Sequence, residues 1–270
     1  MLIQTQFTKV LAFVMIAVVA LSTSDWTLPH TTVVKDNEPR TYRFTVQYLN
    51  ANTQGKVFSR QQVIGEYTRG LPGRDVIWKN VAVAESSGLD QPFGPPQKRE
   101  FMEGFRYHNN SDTMSPDFFK GFPPTAVQER NLVWDEEMFE LFGQDQFEHL
   151  KLNQPYHLLG NQNIKMPSVG TFENRDVELE WVGRSIRNGK DCAVIEYRAY
   201  LNPLNINNGG INMVGRSNYW GQIWVAVKTR QIEYGTLYED VLGEVKLPGQ
   251  SAPHAINVFR RGVFEPLSQK

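Results

Sequence analysis

The sequence is poor in the features that commonly declare a chemistry. One cysteine, Cys192, stands in 270 residues, so no disulfide can form within the chain. Cys192 lies in the strand-forming run Asp191-Cys192-Ala193-Val194-Ile195, the setting of a small buried hydrophobe rather than a nucleophile. The five histidines are scattered, and the nearest pair, His149 and His157, is eight residues apart, which gives no local metal-ligand spacing. There is no G-x-S-x-G elbow, H-E-x-x-H pair, phosphate-binding loop, C-x-x-C or dinucleotide glycine fingerprint. The chain is therefore expected to have no metal, no cofactor and no catalytic residue that a linear motif would reveal.

Charge of one sign is also missing. Lys and Arg number 28 against 29 Asp and Glu, for a formal charge of -1. Without a basic field to hold a phosphate backbone, nucleic acid is excluded as an expected partner. Long apolar runs are nearly absent as well. The exception is Val10 to Leu21 (VLAFVMIAVVAL), about a dozen residues, which matches a signal-peptide core and falls short of the roughly 20 needed to span a bilayer. Lys9 supplies the preceding positive charge, and Val18 with Ala20, or Ala20 with Ser22, fits the small-residue cleavage positions. Residues 1–22 are read as a signal peptide and 23–40 as a flexible N-terminal segment. No cysteine follows the apolar run, so the expected location is periplasmic or extracellular without a lipid anchor.

What remains, residues 41–270, is rich in strand patterns. Tyr42, Phe44, Val46 and Tyr48 alternate with polar residues, the period of a half-buried strand. Val57 to Tyr67 and Asp75 to Glu85 continue a meander, with Leu71-Pro72-Gly73 as a turn between them. A second meander is predicted from Val177 to Val241. Its hairpin signal is Asn188-Gly189 between two strand-like runs, and a second turn lies near Lys228-Thr229-Arg230. Between the meanders, residues 86–130 carry six prolines interleaved with Phe93, Phe101, Phe105, Tyr107, Phe118, Phe119 and Phe122, which predicts a long packed covering loop. Residues 135–150 predict the one main helix, with Asp135 as cap, Glu136 and Glu137 at the positive end of the dipole, and Phe139 and Phe142 on its apolar stripe.

The fold class is thus mainly β (α+β): a single domain with a curved antiparallel sheet or open half-barrel of about seven or more strands. The most unusual local run is Tyr219-Trp220-Gly221-Gln222-Ile223-Trp224. In a strand, Trp220, Gln222 and Trp224 share one face, while Tyr219 and Ile223 share the other. Two tryptophans separated by an amide suit either a lid contact or an amphipathic ligand that stacks and hydrogen-bonds.

The strands from Tyr42 to Ala84 and Val177 to Val241, with a signal peptide ahead and a helix against the sheet, resemble the open half-barrel of the periplasmic lipoprotein-carrier family. The run from Trp181 to Val241 is also similar to uncharacterised exported bacterial proteins. The first resemblance implies a protein that shelters acyl chains. Together with the excess of aromatics on segments that should lie over the sheet, the reading is a non-catalytic protein that binds a lipid or other amphipathic small molecule, with Trp220, Gln222, Trp224, Phe139 and Phe142 as candidate ligand-binding residues. Two alternatives stay open: a structural or protein-interaction module of the cell envelope with an envelope protein as partner, and a hydrolase built from distant carboxylates.

Overall fold

The computed structural model describes residues 38–158, 162–166, 169–208, 211–246, 249 and 252–267. The segment read as a signal peptide and nearly all of residues 23–40 lie outside the described residues. In β1 (Arg40–Asn52), Tyr42, Phe44, Val46 and Tyr48 are buried, as their alternation predicts. β2 (Val57–Leu71) and β3 (Asp75–Ser86) follow, joined by the turn at Pro72-Gly73-Arg74, where Gly73 takes φ 81°.

The proline-rich stretch contributes β4 (Gln97–Lys98) and β5 (Phe105–His108), both paired with β3. Its rings form a packed cluster: Phe105 lies 4.9 Å from Phe122, 5.4 Å from Tyr107 and 5.8 Å from Phe118, and Phe119 meets Trp134 edge-on at 5.5 Å.

Helix α1 (Val127–Glu140) begins about two turns before the expected Asp135. The Pro123-Pro124 pair fixes the entry of the chain, and the amide of Arg130 donates to the Ala126 carbonyl, so Asp135 falls in mid-helix and caps nothing. A single π-helical turn, Leu141–Asp145, carries the helix on and places Gly143 against Ile223 and Val225 of the sheet.

The remaining strands are β6 (Pro155–Leu158), β7 (Gln162–Met166), β8 (Gly170–Asn174), β9 (Val177–Arg187), β10 (Lys190–Asn208), β11 (Ile211–Ala226), β12 (Ile232–Lys246) and β13 (His254–Pro266). Asn188 (φ 51°) and Gly189 (φ 70°) form the two-residue loop between β9 and β10, which needs positive φ at both positions.

Among the described residues there is one 13-stranded sheet, curved and open, with the path β4-β3-β2-β1-β13-β12-β11-β10-β8-β7 and every pair antiparallel. β13 joins the two meanders, pairing β1 from Tyr42↔Pro266 to Asn52↔Ile256 and β12 from Gly235↔Phe264 to Val245↔His254.

Helix α1 packs on one face of this sheet, hereafter the inner face. Phe139 sits fully buried among Phe44, Tyr197 and Phe264, stacked on Phe264 at 5.4 Å. Gly235 permits this approach, since a Cβ there would come within 2.6 Å of the Phe139 ring. The main core lies beneath α1 and the aromatic cluster. A second, smaller cluster (Leu204, Met213, Val241 and Val245) continues along the inner face of β10 to β12 beyond it.

Candidate functional site

A cavity of about 1100 Å³ opens beside α1 on the inner face. One end is apolar. Leu204 of β10, Met213 of β11, Val241 of β12 and Val258 of β13 floor it, and Met166 and Phe172 from the β7–β8 hairpin stand at its side. These strands alternate as any half-buried strand does, so the floor is the inward set of each. The other end is polar and ionisable, supplied chiefly by α1 (Asp135, Glu136, Glu137, Glu140) with Tyr67 and Arg69 of β2, Glu239 of β12 and Arg260 of β13.

Two networks organise the polar end. In the first, Arg260 donates from Nη2 to Asp135 Oδ2 and from Nη1 to Glu239 Oε2, while the Ser217 hydroxyl donates to Glu239 Oε1 at 2.6 Å. The guanidinium also lies 5.1 Å from the centre of the Tyr48 ring. One cation here serves two carboxylates. Burial pushes the Asp135 carboxyl up to about 7, against the pull of Arg260 and with the help of Glu239. The same burial raises Tyr48 to about 12.

In the second network, Glu140 Oε1 accepts the Tyr67 hydroxyl at 2.9 Å and lies 3.2 Å from Arg69 Nε, and Arg69 Nη1 donates to the Gln144 side chain. Glu136, one turn earlier, is 2% exposed, and no donor reaches its Oε1. Burial and then the neighbouring Glu140 carboxyl hold Glu136 well above the ordinary carboxylate range. Glu137 is raised too, by burial, although the Thr113 hydroxyl donates to it at 2.5 Å. The site can therefore cover an alkyl chain at one end and present neutral carboxyls, carboxylates and fixed guanidinium groups at the other.

The five residues proposed from sequence do not meet. Phe142 lines the cavity and touches Tyr197 at 5.3 Å, whereas Phe139 is fully embedded in the core. Trp220, Gln222 and Trp224 occupy the opposite, outer face of β11, because Tyr219, Ile223 and Val225 of that strand take the inner one. There Trp220 stacks on its cross-strand partner Tyr238 at 5.9 Å, and Trp224 meets Tyr234 edge-on at 5.3 Å, with Arg187 3.9 Å over the Tyr234 ring. The pairing across strands, which a single strand's sequence does not display, accounts for these tryptophans.

The cavity's ionisable residues escaped sequence reading. Asp135, Glu136 and Glu137 look like dipole-complementing acids at a helix start, and Glu239 like a solvated charge. The available signal is spacing: Asp135 and Glu136 fall three and four residues after Leu132 and four and three before Phe139, on the buried side of one helix. Glu239 and Asp240, neighbours on β12, point to opposite faces of the sheet; Asp240 accepts from Asn257 at 2.8 Å while Glu239 is buried.

Among the described residues, no group of His, Cys, Asp and Glu is placed to hold a metal ion, and no helix is long and apolar enough to cross a membrane. No protein-family model and no curated protein matches the chain. Among solved structures, the chain is similar to that of a proposed exported protein with a YmcC-like fold from Bacteroides fragilis, at 9% identity and a TM-score of 0.17 over 80% of this chain and 93% of that one. A likeness at that score carries no argument about fold or activity. The resemblance to the lipoprotein-carrier family gains nothing from these comparisons.

Proposed function

We propose that this is an exported, non-catalytic protein that binds an amphipathic small molecule between the inner face of its sheet and helix α1. Export is read from the apolar run Val10 to Leu21, its leading Lys9 and the small residues after it. The observation that carries the binding reading is the two-ended cavity: an aliphatic floor of Leu204, Met213, Val241 and Val258 continuous with a buried ionisable end at Glu136 and Arg260. Sites for small molecules combine a mostly apolar wall with a few convergent polar groups, and an amphiphile satisfies both ends at once.

The hydrolase alternative is served less well. Asp135 and Glu239 are both engaged by Arg260, and Glu239 also accepts from Ser217, so neither carboxyl is free to move a proton to a substrate. The envelope-interaction alternative needs no cavity. Native mass spectrometry of the protein purified from its own cells, with displacement of a lipophilic fluorophore as a second readout, tests the proposal. A copurified amphiphile and saturable dye binding are expected. An empty protein that also fails to bind the dye would overturn it and favour the interaction module.

A further inference from the structure

Carboxyl groups outnumber guanidinium groups around the cavity. Seven carboxyl-bearing side chains line the cavity against four arginines, with no lysine or histidine among them. The two arginines nearest the helix acids are already committed: Arg260 to Asp135 and Glu239, Arg69 to Glu140. Glu136 has no cation of its own, is 2% exposed and has an Oε1 that receives no hydrogen bond. A buried acceptor left this way costs on the order of 1–3 kcal/mol, more if charged, so the site favours a bound group that donates to it.

Building on the proposed amphiphile site, we infer that its ligand is cationic, an alkyl chain bearing a primary ammonium whose N–H donors and charge are received by Glu136. A carboxylate or phosphate head at the buried end would meet Glu136 and Glu140 where the two nearby guanidinium groups, Arg69 and Arg260, are already paired; Arg74, also on the lining, is exposed. A quaternary ammonium would bring charge but no donor for Oε1.

The groups facing Glu136 are Glu140 on its own helix, Tyr67 and Arg69 from β2, and Tyr107 from β5. Without ligand, burial and then Glu140 favour the protonated form of Glu136. An arriving ammonium favours the carboxylate, so that proton leaves to solvent as the ion pair forms.

Isothermal titration calorimetry of the full chain with dodecylamine, dodecanoate and dodecyl maltoside, each below its critical micelle concentration, tests this. Dodecylamine is expected to bind at least about tenfold tighter than dodecanoate and to release protons, read as a heat that changes with the buffer's ionisation enthalpy. Glu136→Gln should weaken dodecylamine about tenfold or more and change maltoside binding less than about threefold. Equal or tighter dodecanoate binding, or an unaffected Glu136→Gln variant, overturns the cationic head group while leaving an amphiphile site standing. No binding of any of the three overturns both. Should Glu136→Gln fail to fold by circular dichroism, the ranking of the three probes on the unaltered protein decides alone.

Discussion

Arg40, at the start of β1, grips Glu233 of β12 with both terminal nitrogens, at 2.8 and 2.6 Å, although the two are 193 residues apart. Lys190 Nζ adds a third bond at 2.7 Å, and Glu233 is 1% exposed. Burial alone would raise the Glu233 carboxyl, but the bonds from Arg40 and Lys190 hold it below the ordinary range. The clamp ties the first strand to the β9–β10 hairpin, whose Asn188 also donates to the Glu233 carbonyl at 3.2 Å. Removing Glu233 leaves a buried guanidinium without its carboxylate, so Glu233→Ala should destabilise by about 3–5 kcal/mol in urea unfolding. Lys190 is 40% exposed on its side chain, and Lys190→Ala should cost less than about 1 kcal/mol. Equal losses for the two variants would refute this division of labour.

Stability should rise on mild acidification. Asp135, raised to about 7, and Glu136 and Glu137, raised as well, hold protons in the folded protein at pH values where the unfolded chain has released them. The folded state thus binds more protons between roughly pH 4 and 7, and stability falls as pH rises through that window. Glu233 acts oppositely, since its lowered carboxyl contributes stability that is lost only as pH drops below about 4. The urea midpoint is expected to be higher near pH 5 than near pH 8, and Asp135→Asn should flatten that slope. A midpoint that climbs steadily from about pH 5 to 8 would contradict the buried-acid account.

Cys192 is buried, and burial, followed by the Glu233 charge, pushes its thiol up to about 11. The thiolate is the reactive form, so the native thiol should resist a disulfide-exchange reagent at neutral pH and react with one equivalent after denaturation. Rapid labelling of the native protein would mean that the β9–β10 edge opens. The strand-forming neighbours of Cys192 made this placement readable from sequence.

Local rules explain which parts of the fold were legible. Asn188-Gly189 could be read because a two-residue hairpin needs two positive φ angles, and β1 because Tyr42, Phe44, Val46 and Tyr48 alternate without a break. β13 resisted. Its inward positions are Arg260, Gly262 and Phe264, and an arginine and a glycine in the buried register hide the strand pattern. Both exceptions have tertiary causes: Arg260 bridges Asp135 and Glu239, and a Cβ at Gly262 would meet Phe44 at 3.1 Å. The acids of α1 were misplaced for a related reason. A helix-dipole argument is local, whereas the helix start was set by Pro123-Pro124 and the acids' burial by a cavity assembled from distant strands.

Export makes a prediction independent of the cavity. If Val10 to Leu21 is a signal-peptide core, the protein recovered outside the cytoplasm should begin between residues 21 and 25, as read by intact mass and N-terminal sequencing. Replacing Val14 and Val18 with arginine should retain the precursor inside the cell. A mature protein that keeps Met1 would remove the signal-peptide reading and leave the folded domain's description untouched.

The two faces of β11 should separate stability from binding. Trp224 pairs with Tyr234 on the outer face, away from the cavity, so Trp224→Ala is expected to lower stability by about 1–2 kcal/mol through the lost cross-strand contact and to leave dye affinity unchanged. Met213, on the inner face of the same strand, floors the apolar end, where a larger side chain occupies ligand space. Met213→Trp should lower dye affinity about tenfold or more at a stability cost of about 1–3 kcal/mol. Comparison of the two variants assigns the binding face directly. If Trp224→Ala abolished dye binding and Met213→Trp did not, the ligand would lie on the outer aromatic face and the cavity would be structural.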